Sequence, residues 1–380
     1  MTETSTSPSV APEWSEMPVQ TRNERFASAH PEDFPAISAR QLEWRLSPID
    51  ALGALADGDL DGGHYDVTVT GATHIWVPMA SIAGKAGLPE DRISARAWSM
   101  TEDALHVRID GEGDPVVIDR DIDGVRAAHL VLEFTANTHR SVIIANTGAA
   151  SLAENVEIIA HDGSNARVIH LNEWDSTALH ASSHFVRVDK DAHVDHILIS
   201  LGGAVQRVNP AITLSGVGSS VESYGLYFAD RGRHIEHQVF VHHKAAQTKS
   251  NVLYKGALHG KGTRTVWVGD VLIGPAATGT DSYEANRNLV LSDGARADSV
   301  PNLEIETGDI AGAGHASATG RLDDEHLFYL QARGITESEA RRLVALGFLV
   351  EIVDHIGIPS LQERLTEILA EVLDAVEENA

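Results

Sequence analysis

Residues 254–275, YKGALHGKGTRTVWVGDVLIGP, and 281–334, DSYEANRNLVLSDGARADSVPNLEIETGDIAGAGHASATGRLDDEHLFYLQARG, carry the pattern from which the fold is read. Short apolar runs, among them 265–273 and 288–292, alternate with Gly-containing turns. Each run is long enough for a strand and too short for a helix. The series closes on a single histidine, His315, set among Gly312, Ala313, Gly314 and Ala316, and then turns abruptly helical.

The same pattern extends upstream. From about residue 127 to 305, runs such as HLVLEF, SVIIAN, VEIIA, HFVRV and VDHILIS recur with polar turns between them. No convincing amphipathic helix intervenes. Gly202, Gly232, Gly262 and Gly294 recur at roughly thirty residues, a spacing that fits one coil of a solenoid. A β-sandwich built from hairpins and a β-helix of stacked coils both fit these runs. Asn-Gly hairpin signals are missing at most junctions, which favours the β-helix.

On this reading the chain is mainly β and has four parts. Residues 1–38, rich in Ser, Thr, Pro and Glu, form a disordered tail; 39–126 form a small mixed α/β N-terminal domain; 127–322 are the β-helix core; and 323–380 form a helical C-terminal domain. In the N-terminal domain, 39–56 has helical spacing interrupted by Pro48, 65–69 and 74–77 read as strands, and 88–100 is weakly helical. In the C-terminal domain, Asp323 is an N-cap for a helix closed by Gly334, and Thr336 with Glu339 and Ser360 with Glu363 have capping-box spacing. Leu361, Leu365, Ile368, Leu369, Val372, Leu373 and Val376 make one apolar stripe, whereas 343–353 is apolar nearly all round, as suits a helix covered on two sides.

The composition excludes several functions. The 380 residues carry 29 Lys and Arg against 55 Asp and Glu, a formal charge of −26 that repels phosphate backbones, so nucleic acid is not an expected partner. Cysteine is absent, which removes disulfides, Cys-based zinc sites and a self-contained thiolate cluster. No secretory signal is visible at the start, and the apolar run 343–350 is too short to span a bilayer, so a cytoplasmic protein without a membrane segment is expected. No Walker-type phosphate loop is present; residues 260–263, Gly-Lys-Gly-Thr, read as a turn between strands.

Three blocks, VHHKAAQTKSNVLYKGAL (241–258), DSYEANRNLVLSD (281–293) and GHASATGRLDDEHLFYLQARGI (314–335), resemble the most recognisable segments of the SufB/SufD family, which assembles iron–sulfur clusters. The block RQLEWRLSPI (40–49) is similar to the opening segment of the SufD branch. Where family members often read Cys-Ser-His-Gly-Ala-Thr, this chain reads Ala313-Gly314-His315-Ala316-Ser317-Ala318, so the histidine is kept and the thiol is lost. That departure places the resemblance with SufD rather than SufB. The resemblance implies a right-handed parallel β-helix core and a non-enzymatic scaffold that pairs with a SufB-like paralogue. It also implies that the helices over 323–356 dock a SufC-like ABC ATPase. An iron–sulfur cluster or iron would be held transiently and shared with the paralogue, none being bound by this chain alone, with iron loading at the shared interface. A homodimer of this chain stays open. The competing reading, a β-helix enzyme such as a polysaccharide lyase, needs a groove lined with several Asp, Arg or Lys residues, and no such set stands out.

His315 is the candidate metal ligand. Imidazole can replace thiolate on iron, and in the family the matching histidine faces a cysteine of the paralogue. On its residues alone a lone histidine among small residues is more simply a water-exposed turn residue. The other histidines, His234, His237, His242 and His243 with His180, His184, His193 and His196 upstream, are expected mostly to be satisfied by hydrogen bonds on a β surface; a metal site there needs histidines from neighbouring coils. With period-two alternation, His237 and His243 share a face with Ile235 and Val239, opposite His234, Glu236 and His242. Asn286 and Asn288 read as a polar stack bonding adjacent coils.

Overall fold

A computed structural model describes residues 25–377. Three helices, α1 (Ile49–Asp57), α2 (Met79–Ile82) and α3 (Arg92–Met100), and two short strands, β1 (Val67–Thr70) and β2 (Thr73–Pro78), precede sixteen further strands. These are β3 (Asp103–Ile109), β4 (Val116–Asp121), β5 (Val125–Phe134), β6 (His139–Thr147), β7 (Ser151–Ala160), β8 (Asn165–Trp174), β9 (Leu179–Val188) and β10 (His193–Gly202). There follow β11 (Val205–Leu214), β12 (Ser220–Ala229), β13 (His234–His243), β14 (Lys249–Leu258), β15 (Arg264–Ile273), β16 (Thr280–Val290), β17 (Arg296–Ile305) and β18 (Ile310–Arg321). The chain ends in α4 (Asp324–Gln331), α5 (Glu337–Val353) and α6 (Pro359–Glu377).

From β3 on, successive strands alternate between two sheets. Even-numbered strands stack as β4-β6-β8-β10-β12-β14-β16-β18, with β1 at the start, and odd-numbered strands as β3 to β17, with β2 at the start. All neighbours pair in parallel except β1 with β4 and β2 with β3. This is a parallel β-solenoid, as the apolar runs and the lack of hairpin signals require. Gly202, Gly232, Gly262 and Gly294 all take left-handed φ, between 75° and 84°, at the corners. At Gly202 a Cβ would also collide with the Trp174 carbonyl.

Alternate residues face inward and pack into one apolar column running from Leu105 and Val116 to Val271 and Ile273. The outer faces are covered too. Trp44, Leu52, Leu55 and Ile93 pack on Ala127, Ala153, Ala181 and Val205 of the odd-numbered sheet. On the other side, Leu349, Ile352, Leu365 and Leu369 of α5 and α6 pack on Ile169, Ile197, Leu226 and neighbours of the even-numbered sheet. Strands buried on both faces read as near-continuous apolar runs, which is why their period-two signal is weak.

Several boundaries differ from the sequence reading. The solenoid starts at β3 and β4, not at residue 127: Leu105 pairs with Leu130 and Val116 with Val142 in the same parallel ladders. These two strands have seven and six residues, and the charged turn between them hides their periodicity. Of the tail expected over 1–38, residues 1–24 lie outside the described residues. Residues 25–38 pack onto the solenoid, with Arg25 donating to Glu90 (2.7 Å) and Asp270 (2.8 Å). At the other end, the Asp323 and Thr336 side chains accept from the Glu325 and Glu339 backbone N–H groups as the caps require, and Gly334 takes φ 87°. The helix expected to be capped by Ser360 begins instead at Pro359, whose fixed φ and missing N–H suit a first helical position.

Two inward histidines of β13 are held neutral by burial. His237 and His243 do face inward with Ile235 and Val239. His243 bonds Thr248 Oγ1 (2.8 Å) and Ser250 Oγ (2.9 Å). Burial pushes both imidazoles down to about 3. The unfolded chain takes up these protons near pH 6.5 and the folded chain does not, so stability must fall as pH drops from 6.5 toward 3, by about 1.4 kcal/mol per pH unit for each group. His243→Gln is expected to make the acid side of the stability profile shallower by that amount. Denaturant titrations at several pH values check this, and a slope identical to that of the parent chain would refute it.

Candidate functional site

The solenoid ends in two edge strands, β17 and β18, that bond on one side only. His315 lies in the middle of β18, directly opposite Glu284 of β16. Ser282, Glu284, Asn286 and Asn288 occupy inward positions, and their partners Ala313, His315, Ser317 and Thr319 stack over them. His315 therefore sits over the open mouth of the solenoid, with 43% of its side chain exposed. The small residues expected to let another backbone approach are all on this strand, and from His315 to Arg321 it is exposed throughout.

Glu284 is the unusual member of the pair. Its side chain is buried, its Oε1 has no hydrogen-bond partner among the described residues, and that oxygen lies 3.9 Å from His315 Nδ1. Burial, reinforced by the charge of Asp270, pushes this carboxyl up to about 8 against one backbone hydrogen bond from Asn302. Room for it comes from Gly269 on β15: a Cβ there would meet the Trp267 ring and Glu284 Oε2. Asp270 is itself held by Arg25 (2.8 Å) and by Asn302 Nδ2 (2.6 Å).

Below Glu284 a polar lane enters the column. Asn286 Nδ2 donates to Tyr227 Oη (2.8 Å), Tyr227 Oη to Asn288 Oδ1 (2.6 Å), and Asn288 Nδ2 to Asn286 Oδ1 (2.7 Å) and Thr319 Oγ1 (3.4 Å). This is the polar stack read from the sequence. Deeper still, His237 bonds Ser200 Oγ (3.0 Å). A second lane starts from the other end, where the fully buried Arg120 bridges Glu154 (2.8 Å) and Asn146 (2.7 Å), Asn146 continues to Asn172 (2.7 Å), and His180 closes on Glu154 (2.7 Å).

Most sequence-flagged histidines have such partners: His193 bonds Asp195 and Ser220, and His234 bonds Glu236. His184 and His196 come together with His170, whose place in an apolar-looking run hid it. Glu284 was likewise unflagged. The available signal was a charged residue in phase with Ser282, Asn286 and Asn288 in a strand whose other inward neighbours are uncharged.

On the outer face, α4 and α5 leave large apolar side chains bare. Phe328 is 73% exposed, Tyr329 55% and Leu343 38%. Lys255, buried under α5, pairs with Glu351 and donates to the Phe348 carbonyl (3.2 Å), and Arg341 donates to the Leu291 carbonyl (2.6 Å) just beyond β16. These bonds tie α5 to the two strands next to the open end.

Residues 118–348 match the family model described as SUF system FeS cluster assembly, SufBD core domain. An iron–sulfur cluster assembly SufBD family protein of Mycobacterium tuberculosis strain H37Rv is 42% identical over 373 residues, 94% of each chain. A Mycobacterium leprae protein of the same description is 41% identical over 372 residues, 93% of this chain and 95% of its own. The Escherichia coli K12 iron–sulfur cluster assembly protein SufD is 29% identical over 188 residues, 48% of this chain and 44% of its own.

A buried carboxyl with an unpartnered oxygen costs stability that an apolar group of similar volume would not. Glu284→Met is therefore expected to stabilise the isolated chain by about 1–2 kcal/mol at neutral pH. Denaturant unfolding measures the change, and a clear destabilisation would mean that Glu284 serves the fold.

Proposed function

The chain belongs to the SufBD family of iron–sulfur cluster assembly proteins, and from that premise we propose that it is a non-enzymatic SufD-type scaffold. Its thiol-bearing SufB-type paralogue docks against the open end of the solenoid. The observation that carries this reading is the pair His315–Glu284: one nitrogen and one oxygen ligand, placed at an exposed edge of a protein that has no cysteine. The nascent cluster, or the iron that starts it, is cargo rather than a resident cofactor. This chain offers two of the four or more donors that an iron ion takes, and the paralogue supplies the sulfur.

The remaining features fit the same assignment. The unpaired N–H and C=O groups of β17 and β18 offer a template for strand addition by the paralogue, or by a second copy of this chain when the paralogue is absent. Phe328, Tyr329 and Leu343 form the apolar surface for a SufC-type ATPase docking over 323–356. Movement of α5 would pull on β14 and β16 through Lys255 and Arg341, and so on the strand that carries Glu284. The partner thiol must stay reduced, which favours the cytoplasm.

In complex co-expressed with the paralogue and the ATPase, His315→Ala is expected to leave assembly intact and to cut bound iron and acid-labile sulfide roughly 10-fold or more. Unchanged iron content in an intact complex would remove the metal role. The double substitution Phe328→Ala and Tyr329→Ala is expected to weaken ATPase retention about 10-fold or more while the paralogue stays bound. Full retention on size-exclusion chromatography would place the ATPase elsewhere.

A further inference from the structure

His170 on β8, His184 on β9 and His196 on β10 meet in the middle of the column, four strands in from β18. Their placement follows from the alternation. His170 is in phase with the core residues Ala166 and Val168, His184 with Val186 and Val188, and His196 with Val194 and Leu198. The β8–β10 register pairs His196 with Val168, so His170 and His196 are close neighbours on one inner face, and His184 reaches them from the opposite sheet. All three are buried to 1% exposure or less.

Their partners set them apart. His129, His180 and His234 each lean on a carboxylate, and His237 and His243 on hydroxyls. These three lean on one another. His170 stacks on His184 with ring centroids 4.1 Å apart, and His184 Nδ1 lies 3.0 Å from His196 Nε2. His170 Nε2 and His196 Nδ1 have no hydrogen-bond partner among the described residues, and neither has Ser182 Oγ, two residues before His184 on the same face. A neutral imidazole has one donor and one acceptor nitrogen, so a single N–H···N contact cannot satisfy three buried rings.

We propose that His170, His184 and His196 form an interior metal site that takes one divalent first-row cation of the Fe²⁺, Co²⁺ or Zn²⁺ class through three imidazole nitrogens. One nitrogen from each ring lies within 4.8 Å of the others. Two nitrogens bound at 2.0–2.1 Å to one tetrahedral ion are about 3.3 Å apart, close to the 3.0 Å separating His184 Nδ1 and His196 Nε2. Three nitrogens and no carboxylate select against the hard, oxygen-seeking Mg²⁺ and Ca²⁺. The fourth position is open to water or to Ser182. The site is sealed from solvent, so the ion is loaded as the chain folds. It is independent of the edge site and stands whether or not His315 handles iron.

The test refolds the full chain, freed of metal by chelator, in the presence of Co²⁺. Expected are one tightly held Co²⁺ per chain after gel filtration, visible d–d bands of a tetrahedral nitrogen-rich site, and a raised unfolding temperature. His170→Gln and His196→Gln should each lose the bands and the stoichiometric ion, while His243→Gln and His315→Ala keep both. The triple substitution of His170, His184 and His196 by Leu guards against misfolding, since apolar side chains suit this core. Co²⁺ retained by that variant with a native circular dichroism spectrum, or no Co²⁺ held by the refolded parent chain, overturns the proposal, the latter because the rings then enclose only water.

Discussion

A chain that coils on itself in parallel turns polar groups into an interior that excludes water. Their partners must come from the coil above or below or from the facing strand of the same coil. Arg120, Asn146 and Asn172 show the rule on successive even-numbered strands, and Thr248 with Thr280 and Ser250 with Ser282 repeat it further along. Such ladders fix the register more firmly than apolar packing does, because a one-residue slip would turn each of these groups against carbon.

The two ends of the stack stop differently. At the start, the four-residue β1 and the six-residue β2 add antiparallel caps, short enough to blunt the edges. At the other end, β17 and β18 run to ten and twelve residues with their outer edges bare. Glu284 lies one strand below that bare end, and the strand above it sets His315 over its Oε1 at 3.9 Å, beyond hydrogen-bond reach. A second protein that extends the stack would repair the fault with its own side chains. Exposed edge, orphaned carboxyl and histidine are in this sense one feature.

The parts of this architecture that depend on local spacing were legible from the residues. The apolar runs, the caps at Asp323 and Thr336 and the shared face of His237 and His243 follow from geometry within about ten residues, and the corner glycines at Gly202, Gly232, Gly262 and Gly294 from their recurrence at roughly thirty. What could not be read is set by contacts across coils. Residues 103–121 look like a separate domain until their parallel partners β5 and β6 are in place. Arg25 belongs to the folded body because Glu90 and Asp270 hold it, and neither is near in sequence. His170 sits in an apolar run and becomes notable only when His184 arrives from the other sheet. Glu284 becomes notable only when its neighbours prove to give it nothing.

The two clusters of nitrogen and oxygen donors differ in a way that bears on which could handle an ion in transit. The edge pair has a carboxyl that becomes an anion when a cation displaces its proton, and its imidazole is exposed on the last strand above that buried carboxyl, so an ion meets solvent on the His315 side. The interior trio is neutral, closed and braced by Val168, Val186 and Leu198. An ion there must carry its full charge into a medium of low polarity with no carboxylate beside it, Glu154 being already engaged by Arg120 and His180. Such a site binds because three lone pairs converge, and it releases only when strands part. Under the two proposals, exchange suits the edge, with His315 and Glu284, and retention suits the core, with the histidines of β8, β9 and β10.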